Sequence, residues 1–121
     1  MKSKHIYLNL FLIDFPITAI TSILHRVSGV ILFFFIPFFL YFLKLSIESE
    51  TSFSIVNILL SKYYIKISLN LLYIMFLYHL INGIKHIIID FGFFDDINSS
   101  KKFSLICIFF VILFYLVSII I

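Results

Sequence analysis

Two histidines, His79 and His86, stand seven residues apart in one hydrophobic stretch, and Ser22, His25 and Arg26 gather where an earlier one begins. Side chains this polar are costly in lipid, so within apolar segments they mark the functional region. On a helix, seven residues are close to two turns, and His79 and His86 therefore project from one face, roughly 10 Å apart along the axis. One iron cannot take both from the same helix. A haem set edgewise between helices could accept one imidazole axially while the other reaches its propionates. His79 is the deeper of the two and suits the axial place, leaving His86 to the propionates. A neutral imidazole ligates iron through one nitrogen while the other donates to a carbonyl or carboxylate that fixes the tautomer. Hydrogen bonding between helices and a proton path use the same residue type, and spacing alone leaves all three open.

Gly83 follows His79 by one turn, where the missing side chain admits either a flat macrocycle or another helix. Asn70 and Asn82 suit interhelical hydrogen bonds. Ser22 and Arg26 are four residues apart and so are neighbours on one helical face. A hydroxyl beside a guanidinium can hydrogen-bond a quinone carbonyl and stabilise charge that develops on its reduction. An arginine there also fits a simple anchor among lipid headgroups.

The chain that must position these groups has 121 residues, of which 63% are hydrophobic and only 12% charged. Its mean hydropathy is +1.20. A soluble domain this small could not hide that much apolar surface in one core, so the chain belongs in a membrane. Three stretches reach the roughly 20 residues a bilayer requires: Val27 to Leu45, Ile65 to Ile89 and Phe103 to Ile121. The expected fold is an all-α membrane protein of three transmembrane helices, one domain over residues 1–121. Pro37 should kink the first helix, and Pro16 suits an early helical position leading through Arg26 into that span. Lys2 and Lys4 precede an apolar stretch, but Asp14 and Pro16 interrupt it, so it does not read as a signal peptide. The 17 Phe residues reflect a bias toward A/T-rich codons and are expected to be lipid-facing or packing fill, not an aromatic box around a cofactor.

Ser46 to Ser61, with Glu48 and Glu50, reads as a polar connector followed by Tyr63 and Tyr64 at an interfacial belt. Phe91 to Lys102, with Gly92, Asp95 and Asp96, reads as a second connector with turn chemistry. Lys2, Lys4, Arg26, Lys85, Lys101 and Lys102 fall on one side against Lys44, Lys62 and Lys66 on the other, which places the amino terminus in the cytoplasm. The net charge of +3 serves topology and headgroups and does not call for nucleic acid. The single Cys107 lies mid-span and reads as a packed thiol.

Two runs carry a family likeness. Phe15-Pro16-Ile17-Thr18-Ala19-Ile20-Thr21-Ser22-Ile23-Leu24-His25-Arg26-Val27-Ser28-Gly29 resembles the amino-terminal signature of the cytochrome b membrane-anchor subunits of succinate dehydrogenase. The run from Tyr78 to Gly92 resembles their second signature, His-x-x-x-Gly-x-Arg-His-x-x-x-Asp, through His79, Gly83, His86 and Asp90. Both motifs stand in the right order beside the expected spans, so the resemblance covers essentially the whole chain.

The resemblance implies a subunit that, with a second three-span hydrophobic subunit, anchors a flavoprotein and an iron-sulfur subunit in a bacterial inner membrane. It implies one haem b between the two anchors, with His79 as an axial ligand to its iron and His25, Arg26 and His86 near its propionates. Ser22, Arg26 and Asp90 match quinone-site positions, with ubiquinone as substrate. Lys85 stands where the signature has arginine, and a lysine lacks the planar two-pronged grip on a carboxylate. Asp14 replaces a residue that is basic in many relatives. The chain has no flavin-binding or iron-sulfur motif and does not itself oxidise succinate. A haem-less structural anchor, a fumarate reductase anchor and a small proton-conducting or transport subunit are the rival readings. Against transport, the third span carries no ionisable group besides Cys107 and Tyr115.

Overall fold

The structure, a computed structural model, describes residues 15–94 and 96–120. Lys2, Lys4, Asp14, Asp95 and Ile121, all used in reading the sequence, lie outside the described residues. Four helices follow in order: α1 (Ile17–Glu48), α2 (Glu50–Ser61), α3 (Tyr63–Asp90) and α4 (Ile97–Ile120). The helices α1, α3 and α4 are each long and apolar enough to cross a bilayer, and they contain the three expected spans apart from Ile121. Helix α1 passes through Pro37 as one continuous element, with Pro16 as its N-cap rather than its first helical residue.

What is buried and what is exposed is inverted relative to a soluble protein. Phe33, Phe34 and Phe38 are each more than 60% exposed, whereas Thr21, Ser28, Asn82, Lys85 and Ser104 are buried. Small and polar side chains fill the seams between helices because close approach and hydrogen bonds, not exclusion of water, hold helices together in lipid. The outward phenylalanines leave the bundle's interior to small and polar residues.

Both expected connectors are shorter than the sequence suggested. Ser49 accepts a hydrogen bond from the Ser52 N–H at 3.1 Å and so caps α2, a 12-residue helix within the segment read as a polar connector. Val56 and Leu59 face inward on α2, and Ser54, Asn57 and Ser61, about 160° around at 100° per residue, face out. Twelve residues are too few to span, so a search for bilayer-length runs passes over this interfacial helix.

At the other end, α3 stops in a Schellman motif: the Gly92 N–H donates to the Ile89 carbonyl and the Phe93 N–H to that of Ile88. Gly92 has φ +86°, a conformation only glycine adopts without strain. Asp96 then accepts from the Ser99 N–H at 3.0 Å and starts α4 six residues before the expected span. Hydrogen bonding by the Ser99 side chain, and then by its backbone N–H, holds the Asp96 carboxyl below its usual range. A carboxyl lowered by folding stabilises the helix above its unfolded value and loses that contribution as pH falls through the folded one. The first turn of α4 is therefore expected to fray on acidification, with faster amide exchange at Ser99, and Asp96→Asn should retain the cap while removing most of the pH dependence.

Candidate functional site

The amino-terminal half of α1 supplies two adjoining stripes. Ser22, His25, Arg26 and Gly29 fall on one by their spacing of three and four, and Thr21 and Ser28 on the next. Helix α3 answers with His79, Gly83, His86 and Asp90 on one stripe and Tyr78, Asn82 and Lys85 on its neighbour. The structure brings the histidines of both helices together. The His25 and His79 rings stack with centroids 4.2 Å apart and planes 8° from parallel, and His86 lies 5.2 Å from His25 at 49°.

The His79 ring is held by α1. Its Nδ1 lies 3.1 Å from the His25 carbonyl oxygen and 3.2 Å from Ser28 Oγ. The Ser28 hydroxyl donates to that same carbonyl at 2.8 Å, so its oxygen faces Nδ1 as an acceptor. Two acceptors at Nδ1 place the proton there and leave the lone pair on Nε2.

Glycine makes this packing possible. A Cβ at Gly29 would stand 2.8 Å from His79 Cε1, closer than two carbons can approach, so α1 needs a bare backbone where the imidazole lies. At Gly83 a Cβ would meet His25 Nε2 at 3.4 Å, an ordinary contact. Gly83 was legible one turn beyond His79. The part played by Gly29 was not, although its place four residues after His25 was the available signal. His25 Nε2 is buried and has no hydrogen-bond partner among the described residues.

The proposed quinone contacts are placed more loosely. Ser22 is half-buried, while Arg26 and Asp90 are exposed on this chain. Arg26 follows His25 directly in α1 and Asp90 lies one turn past His86 in α3, so the two residues flank the histidine cluster at the end where α1 begins and α3 stops. The structure shows no hydrogen bond joining Ser22, Arg26 and Asp90 among the described residues.

Lys85 does something the motif did not suggest. It is 2% exposed, and its amine donates to Thr21 Oγ1 at 3.0 Å and to Ser104 Oγ at 3.3 Å. One side chain thus ties α1, α3 and α4. Thr21 is gripped again by the Tyr78 hydroxyl, which donates to the Thr21 carbonyl at 3.0 Å. Ser104 itself donates to the Ser100 carbonyl, so its oxygen is free to accept from Lys85. Asn82 is fully buried in the same stripe, and Cys107 is a buried free thiol, as expected. Removing the acceptor with Ser104→Ala leaves a buried amine short of a partner and should cost about 1–3 kcal/mol. Lys85→Met in the same background should recover part of that loss, which melting of the solubilised assembly would detect as a coupling between the two changes.

Comparison with known proteins identifies the family. Residues 1–118 match the family model described as succinate dehydrogenase/fumarate reductase transmembrane subunit. The succinate dehydrogenase cytochrome b560 subunit of Chondrus crispus is 42% identical over 93 residues, covering 74% of this chain and 72% of the relative. The cytochrome b556 subunit of Coxiella burnetii is 32% identical over 103 residues, covering 84% and 82%. With three helices able to span a bilayer and nearly the whole length matched, the chain belongs to the cytochrome b membrane-anchor subunits of succinate dehydrogenase.

Proposed function

We propose that this subunit shares one haem b with a second hydrophobic anchor subunit, helps form the ubiquinone-reduction site, and holds the flavoprotein and iron-sulfur subunits to the membrane. The observation that carries the reading is the hydrogen-bonding of His79 Nδ1 by α1, which presents Nε2 as a ligand. The cytochrome b names of the relatives support it.

The residues present fit a haem. His79, its Nδ1 engaged by α1, would hold the iron through Nε2 with its ring orientation fixed. The unpaired His25 Nε2 is a buried polar atom seeking a partner, and with His86 and Arg26 it makes a group suited to propionates. When bound, the haem would supply one-electron redox chemistry beside the quinone. A second ligand to its iron would come from the second anchor. Lys85 is not part of this set, because its amine is committed to Thr21 and Ser104.

Ubiquinone takes up two electrons, arriving through the iron-sulfur subunit, and two protons to become ubiquinol. The Ser22 hydroxyl and Arg26 guanidinium would donate to a quinone carbonyl oxygen and stabilise the negative charge that builds there. Asp90 would complete the polar surroundings of that end. The site then faces the side on which the amino terminus lies, which we place in the cytoplasm of a bacterium, with the protein in its inner membrane.

Co-expression with the other subunits tests the reading. The four-subunit assembly should purify together and reduce ubiquinone in a manner sensitive to quinone-site inhibitors, and a chain that purifies alone with no such activity would refute it. Gly29→Ala probes the pocket, because its Cβ must displace the His79 ring. It should cost roughly 1–3 kcal/mol by overpacking and perturb the haem spectrum. Gly83→Ala should leave that spectrum nearly unchanged.

A further inference from the structure

At the end of the bundle remote from the histidines, α1, α2 and α3 enclose a cavity of about 460 Å³. Phe39 and Phe42 of α1, Val56 and Leu60 of α2, and Ile65 and Leu69 of α3 form much of its wall. The geometry points to this cavity as a binding site for one acyl chain of an anionic phospholipid, its headgroup held at the α2–α3 junction by Lys62 and Lys66.

Three observations select that occupant. The first is polarity. Ser46 and Ser68 bring hydroxyls to the wall, but Ser46 donates to the Phe42 carbonyl at 2.8 Å and Ser68 to the Tyr64 carbonyl at 3.0 Å. No wall hydroxyl is left to donate to a carbonyl-bearing ring, and a space so apolar does not hold ordered water. A hydrocarbon chain asks for neither. The second is position: α2 is too short to span and joins the ends of two spanning helices, α1 and α3, so the cavity beside it lies near one membrane surface.

The third is charge. Lys62 is the N-cap of α3, three residues before the wall residue Ile65, with its amine 6.0 Å from the centre of the Tyr64 ring, and Lys66 directly follows Ile65. Both lysines are exposed. Glu48 and Glu50 stand at the opposite end of α2, roughly 18 Å away for twelve residues at 1.5 Å each. The headgroup end is therefore basic, and phosphate matches it.

The test uses the whole assembly in nanodiscs containing phosphatidylglycerol with a diazirine in its acyl chain. Photolabelling should place adducts on α2 and the first turns of α3, and unlabelled phosphatidylglycerol should compete. Ser46→Phe, which puts a ring into the cavity, should reduce those adducts several-fold without changing succinate-driven quinone reduction. Lys62→Glu should weaken labelling by phosphatidylglycerol but not by an equivalent phosphatidylcholine probe. Adducts unaffected by Ser46→Phe would overturn the proposal. So would a photoreactive residue in place of Leu59 that captures a neighbouring subunit and no lipid. Should Ser46→Phe fail to assemble, competition in the wild type and the Lys62→Glu comparison still decide the matter.

Discussion

His79→Ala is expected to abolish the low-spin haem spectrum of the purified assembly while leaving the subunit folded and associated with its partners. Loss of an outer-shell partner alone typically weakens a metal site by 10–100-fold, so loss of the ligand itself should reduce retained haem by at least about 10-fold. The fold should survive because the His79 ring is only one of several ties between α1 and α3. Tyr78 to the Thr21 carbonyl and Lys85 to the Thr21 hydroxyl remain. Haem content read by pyridine haemochrome, beside the subunit ratio on a gel, separates the two effects. An unchanged low-spin spectrum would remove His79 from the axial position.

Arg26→Leu should show the second large effect. Removing a donor aimed at developing negative charge typically lowers turnover by 10²–10³, so ubiquinone reduction should fall about 100-fold. Succinate oxidation with a soluble dye acceptor should be spared, since that electron path ends before the membrane. Arg26 is exposed on the isolated chain and makes no hydrogen bond among the described residues, so its loss should not unseat the helices. Equal loss in both assays would show instead that assembly had failed.

The spans were legible because hydrocarbon thickness imposes a length that few other constraints mimic. The histidine cluster was legible in part. Periodicity put His79 and His86 on one face, but that His25 stacks on His79 depends on the crossing of α1 and α3, which one-helix spacing does not specify. Helix α2 was passed over because its polar stripe lowers its hydropathy and twelve residues are short of a span.

Lys85 is the more instructive case. Aligned with a signature arginine beside His86, it read as a carboxylate contact, yet successive helical residues point about 100° apart. That rotation carries Lys85 onto the stripe of Tyr78 and Asn82 and toward Ser104 of α4. The spacing of Tyr78, Asn82 and Lys85, taken with small Ser104 and Cys107 in the otherwise apolar run 103–114 of α4, was the signal for this seam. The resemblance named the right family; the side-chain direction came from helix geometry.

The central claim is that the polar end of the bundle exists to hold a haem, with His79 offering Nε2 to its iron. The reduced-minus-oxidised difference spectrum of the wild-type assembly, purified with its membrane partners, addresses it most directly. The account predicts the sharp α-band of a low-spin b-type cytochrome at about one haem per assembly. A fully assembled, quinone-reducing preparation without that band would contradict it.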